Sequence, residues 1–152
     1  MLVRPFEARD LDACIEIGAM MHEESVYRIH PFSRERLTFL AHLCLTDPNY
    51  ICLVAEKDDR LVGLMVGLAA HNFFADTRYA ADLALYVVPK HRGSTAAVRL
   101  VIEFQKWARD ANCNEIRCGI TTGINDEVGA KIYRRFGFEF GGSLYVKQIS
   151  PL

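Results

Sequence analysis

Hydrophobic positions along the chain recur with two periods, and the changes between them mark its elements. Residues 2–6 form a short extended run, after which Leu11, Cys14, Ile15, Gly18 and Met21 share one face of a helix over residues 8–24. Pro31 interrupts the pattern, Ser33 supplies an N-cap, and Leu37, Leu40, Ala41, Cys44 and Leu45 line a second helix that Asp47 and Pro48 stop. Residues 50–56 and 61–68 are apolar runs rich in β-branched side chains, and the polar link Lys57-Asp58-Asp59-Arg60 between them predicts an antiparallel hairpin. A further strand spans 79–88. Ala97, Leu100, Val101, Phe104, Trp107 and Ala108 then stripe a helix over 94–110, and residues 115–121 return as a strand, completing a β-α-β unit. Residues 126–136 read as a last helix capped by Gly137, and 138–140 and 144–149 as a final strand pair about Gly141-Gly142. The predicted order is βααβββαβαββ, an α+β chain with no internal repeat and no interdomain linker.

Length and composition agree with one domain. The 152 residues are 51% hydrophobic and 24% charged, enough to bury a core without disulfides or a metal. The 18 Lys and Arg against 19 Asp and Glu leave a formal charge of −1, without the positive field that carries non-specific nucleic-acid binding. The most apolar stretch, residues 61–70, is about half a bilayer span, so no membrane segment is expected. The first ten residues include Arg4, Glu7, Arg9 and Asp10, which a secretory signal excludes, and the expected compartment is the cytoplasm. Cys14, Cys44, Cys52, Cys113 and Cys118 form an odd, scattered set without ligand spacing, read as reduced core thiols rather than a metal site.

Candidate chemistry concentrates where the fourth strand meets its helix. Leu85, Tyr86, Val87 and Val88 end a buried strand, Pro89 halts pairing, and Arg92, Gly93, Ser94, Thr95, Ala96 and Ala97 open a helix whose first N–H groups suit a phosphate. Taken alone, these residues are better accounted for by a plain strand-to-helix turn, with Gly93 for backbone freedom.

The segment nevertheless resembles the coenzyme A signature of the GNAT N-acetyltransferase superfamily, L-x-V-x-P-x-x-R-G-x-G-x-G/A. Leu85, Val87, Pro89, Arg92, Gly93 and Ala97 match, and Thr95 stands where glycine is usual. Downstream, Tyr133, Gly137 and Phe138 match the superfamily's Y-x-x-x-G-F segment, and the predicted element order agrees with its architecture. Asp126, with Asn125 beside it, stands where the family often has Asn, and Gly129 where Ala is common.

The resemblance implies a single GNAT-type domain over residues 1–152, with a mixed, mostly antiparallel sheet whose strands 4 and 5 splay apart. It implies acetyl-CoA as acyl donor, with pantetheine along Leu85 to Val88 and the diphosphate on the amides of Arg92 to Ala97; no metal is expected, from the cysteine spacing. The Arg92 side chain would add charge, Asn125 would contribute from the last helix, and Thr95 either crowds the phosphates with its methyl or bonds them with its hydroxyl. Direct transfer to a primary amine through a tetrahedral intermediate requires an acid for the leaving thiolate and a base for the amine. Tyr133 is the implied acid, against the alternative of a core tyrosine. Asp82 is the first candidate base, although strict alternation puts it on the face opposite Leu85 and Val87 unless a bulge intervenes. His22, Glu23, Glu24 and His71 border the acceptor cleft of relatives. The acidic Glu23, Glu24, Asp76 and Asp82 with Tyr27, Phe32, Phe73 and Phe74 would suit a cationic amine. A homodimer is compatible with all of this. A non-catalytic acyl-CoA-binding or interaction domain of the same fold is the rival reading.

Overall fold

The computed structural model describes residues 1–152. Five strands hydrogen-bond in chain order: β1 (Leu2–Pro5), β2 (Tyr50–Lys57), β3 (Arg60–His71), β4 (Arg78–Val87) and β5 (Glu115–Arg117). The first three pairings are antiparallel and the last is parallel. Helices α1 (Leu11–Glu24) and α2 (Arg34–Thr46) follow β1, α3 (Ala96–Asp110) joins β4 to β5, and α4 (Asp126–Arg135) follows β5.

Period-2 alternation makes the sheet two-sided, and each side gains a helical cover. On one side Leu53, Ala55, Met65 and Val87 pack with Leu100, Val101 and Phe104 of α3 and Tyr133 of α4. On the other, Cys52, Val54, Leu64, Val66 and Tyr86 meet Phe6 and Ile17, with Leu40, Ala41 and Cys44 of α2 against them. The five cysteines are free thiols. No helix is long and apolar enough to cross a membrane.

The β2–β3 link is tighter than the pattern predicts. Lys57 pairs with Arg60, and Asp58 and Asp59 both take positive φ (50° and 57°), as a two-residue type I′ hairpin turn requires. At the start of α3, Ser94 stays outside the helix, its hydroxyl accepting the Ala96 N–H at 3.3 Å.

Two departures matter more. The first is in β4, where Ala84 faces Val66 and Asp82 faces Gly67, leaving Leu83 without a partner. This bulge resets the alternation, so Ala80 packs in the same core as Leu85 and Val87. Gly67 stands opposite the bulge because the Phe104 ring lies 2.4 Å from where a Cβ would be. The second is beyond α4, where the expected strands 138–140 and 144–149 do not form. Phe140, Leu144, Tyr145, Val146 and Ile149 are all between 67% and 92% exposed. Alternation becomes a strand only when an edge completes its ladder and a core takes one face. Residues 140–149 have neither, and the three-residue β5 offers little edge.

Candidate active site

Strands β4 and β5 touch only briefly: Tyr79, Ala80 and Ala81 pair with Glu115, Ile116 and Arg117, and there the ladder ends. The next residue on β4, Asp82, reaches across the widening gap and accepts the Gly119 N–H on Oδ1 at 2.8 Å. The bulge at Leu83 turns β4 away at the same point. Together they produce the splay, and they place Asp82 on the side of Leu85 and Val87 that strict alternation denied it.

Tyr133 of α4 meets Asp82 there, its hydroxyl donating to Oδ2 at 3.1 Å. The tyrosine is buried, with Phe138 5.2 Å away between ring centroids. Burial, and then the neighbouring Asp82 charge, push the phenol far above its ordinary range. Burial also raises the Asp82 carboxyl, against the opposing effect of the bonds from Gly119 and Tyr133. Beside them burial and Asp82 push the Cys118 thiol up to about 12. Burial thus acts toward the protonated form of each group, and both Asp82 oxygens are engaged.

At the other end of β4 the loop keeps several donors free. Gly93 adopts φ +81° with nothing within 4 Å of a would-be Cβ, and Thr95 is the N-cap of α3, exposed and making no side-chain cap bond. The amides of Gly93, Thr95, Ala97 and Val98 donate to no protein acceptor, whereas Arg92 and Ser94 donate theirs to Pro89 and His91. Only part of the expected 92–97 amide set is thus open. The Arg92 side chain is also committed. Its Nη1 and Nη2 pair with the two oxygens of Glu24 at 2.5 Å each, and Nε donates to Val87 O at 3.0 Å. The guanidinium, expected to add charge at the phosphates, closes a bridge to α1 in this structure. Glu24 and Arg92 lie 68 residues apart, and nothing local in the sequence signals their pairing.

The remaining candidates fall apart spatially. Asn125 caps α4 at φ +50°, exposed, its carbonyl accepting from Val128 at 2.9 Å while its side chain makes no cap bond. His22 Nε2 bonds the His30 carbonyl at 2.6 Å and its ring packs on Phe32. Glu23 and His71 are exposed, and His71 pairs with Arg78 at the far end of β3. Phe73 and Phe74 pack as a tilted pair at the β3–β4 turn, whereas Tyr27 bonds Thr121 Oγ1 at 2.6 Å.

Fold and sequence together define the class. The acetyltransferase (GNAT) family profile matches residues 17–138, and the chain belongs to that family. Among solved structures it is similar to the aminoglycoside N-acetyltransferase AAC(6')-Iy in complex with the bisubstrate analog CoA-S-monomethyl-acetylneamine. That match has TM-score 0.79 and 16% identity, over 98% of this chain and 97% of the other. It is also similar to the aminoglycoside antibiotic 6'-N-acetyltransferase AAC(6')-IG from Acinetobacter haemolyticus (TM-score 0.74, 17% identity, 99% and 100% covered). The ribosomal-protein-alanine N-acetyltransferase from Brucella melitensis biovar Abortus 2308 gives TM-score 0.73 and 19% identity over 98% and 100%. No curated protein matches the chain in sequence.

Proposed function

We propose that residues 1–152 form one catalytic domain that transfers an acetyl group from acetyl-CoA to a primary amine. The observation that carries this reading is the Tyr133–Asp82 hydrogen bond at the point where β4 and β5 part. Bound acetyl-CoA supplies an activated acyl carbon and a thiol leaving group. The open amides of Gly93, Thr95, Ala97 and Val98 suit its diphosphate, because they add partial positive charge at the start of α3. Above Ala81, β4 has no β5 partner, and the backbone groups on that edge before the Val87 carbonyl, which Arg92 Nε takes, suit the pantetheine.

Asp82 serves Tyr133 rather than the amine directly. With Asp82 ionised, the Tyr133 hydroxyl keeps its proton and donates it in a hydrogen bond to Oδ2, and its loss would put two anions side by side. With Asp82 protonated, the carboxyl donates to Tyr133 Oη, and the phenol proton is released toward the splay. Burial of Asp82 acts toward that second state, and the bonds from Gly119 and Tyr133 act toward the first. The names of the fold neighbours, which include aminoglycoside and ribosomal-protein-alanine acetyltransferases, support an amine acceptor without narrowing it between small molecule and protein. A thiol-release assay over a panel of amines tests the reading: turnover supports it, and cofactor binding without turnover on any amine would leave only an acyl-CoA-binding domain.

Two further outcomes are expected. Asp82→Asn keeps the shape and an acceptor for the Gly119 N–H while removing the charge, so the Tyr133 phenol titrates lower. Ultraviolet titration against Tyr133→Phe isolates that change. The stability effect has a definite sign. A carboxyl raised in the folded state favours folding when protonated, so its contribution falls as pH rises from the unfolded value through the folded one. Asp82→Asn should therefore flatten the melting temperature across that window, and an unaltered profile would refute the assignment. At Thr95, the hydroxyl makes no cap bond and is free for a phosphate. Thr95→Val, nearly isosteric without the hydroxyl, should weaken CoA binding by about tenfold or less, the scale of one neutral hydrogen bond. Calorimetry reads this, and tighter binding by Thr95→Gly would instead reveal crowding.

A further inference from the structure

Glu24, at the last turn of α1, accepts three hydrogen bonds. Arg92 supplies two, and the Tyr86 hydroxyl supplies the third at 2.7 Å. The guanidinium also lies over the Tyr86 ring, 5.3 Å from its centroid. Its Nε bond adds a third attachment. Val88 N–H donates to Val62 O, so by ladder alternation Val87 turns its carbonyl to the opposite edge of β4, and Arg92 Nε takes it there. One side chain thus ties the end of β4, the loop that follows it and the end of α1.

The chain just after Glu24 is fastened to the other side of the splay. Val26 N–H donates to Thr122 O at 2.9 Å, and Tyr27 Oη bonds Thr121 Oγ1. Residues 24–27 therefore bridge from β4 to the segment beyond β5, with Glu24 as the β4 anchor. The charges of Glu24 and Arg92 hold each other ionised: the guanidinium lowers the carboxyl, and the carboxylate raises the guanidinium.

We infer that Glu24 is a positioning residue for the cofactor, acting through Arg92 to hold loop 88–95 in the shape that leaves the amides of Gly93 and Thr95 unpaired beside the open first-turn amides of Ala97 and Val98 of α3. This rests on the reading that the loop receives the diphosphate of acetyl-CoA. A loop already fixed in its binding shape loses less freedom when the ligand arrives. Arg92 then contributes by staying with Glu24, not by leaving it for a phosphate.

Calorimetry with CoA on the parent protein, Glu24→Gln, Arg92→Lys and the double variant tests this. Each single change is expected to weaken CoA by about tenfold, the scale of a charge-assisted hydrogen bond. The double variant should bind no more weakly than either single one, because both break the same bridge. In turnover, KM for acetyl-CoA should rise by the same factor while kcat and KM for the amine hold. A merely structural role would instead lower the melting temperature and the apparent kcat while KM for acetyl-CoA stays at the parent value, and that result overturns the inference. If Arg92 served the phosphates directly, Glu24→Gln would release it and tighten CoA while Arg92→Lys weakened it, and that result overturns the inference. CoA binding that Gly93→Val blocks but Glu24→Gln leaves intact also overturns it, with the cofactor reading standing. A parent protein that binds no CoA overturns both.

Discussion

Replacing Gly93 by valine should abolish the stabilisation that CoA gives the parent protein. A ligand held only by the native state at about 100 times its Kd adds about 2.7 kcal/mol. In a chain of this length that raises the melting temperature by roughly 5–10 °C. Gly93 sits at φ +81° with open space around a would-be Cβ, so the substitution clashes with nothing in the protein. Its cost in the free protein is the left-handed backbone, about 1–2 kcal/mol, which lowers the starting melting temperature without preventing folding. On the proposed cofactor reading, the side chain projects into the space that the diphosphate would enter. Thermal shift with and without millimolar CoA separates the two effects: a lower baseline with no ligand-induced rise is expected. A full rise in Gly93→Val would remove the loop from the cofactor site.

Tyr133→Phe should lower kcat by about 10²–10⁴-fold, the usual contribution of a general acid, while CoA affinity is retained. The ring and its packing on Phe138 survive, and only the hydrogen bond to Asp82 is lost. That bond stabilises the Asp82 anion, so removing it raises the Asp82 carboxyl further. The accompanying stability loss, about 1 kcal/mol, should be largest above the folded titration of Asp82 and shrink as pH falls and the carboxyl protonates. Measuring kcat and the unfolding midpoint across pH on one preparation distinguishes the acid from a core tyrosine. An undiminished kcat with a good amine acceptor would eliminate the acid role.

Much of this architecture was legible because it depends on local pattern. The helix stripe from Ala97 to Ala108 and the runs that became β2, β3 and β4 carry their periods in the sequence, and the structure realises each. The motif through Leu85, Pro89, Arg92 and Gly93 was equally readable, since a strand end, a proline and a positive-φ glycine are neighbours in the chain. The strands expected at 138–140 and 144–149 show the limit of the same reasoning. Their alternation is genuine, but alternation describes a strand's two faces and not whether a sheet edge is there to pair with it.

The site adds what no window of sequence contains. Asp82 looked misdirected because period-2 counting assumes an unbroken ladder. One unpaired residue, Leu83, reversed the phase and brought the carboxylate to Tyr133, 51 positions away. Arg92 looked like a free cation because its partner lies on another helix. Sequence by itself determined the order and type of most elements, the family to which they point and the strand-end, proline and glycine that shape the loop after β4, because propensity, periodicity and turn chemistry act between near neighbours. Tertiary structure alone decided which titratable groups meet, which donors stay open and which strand never pairs, because those outcomes depend on register and packing between segments that the chain keeps far apart.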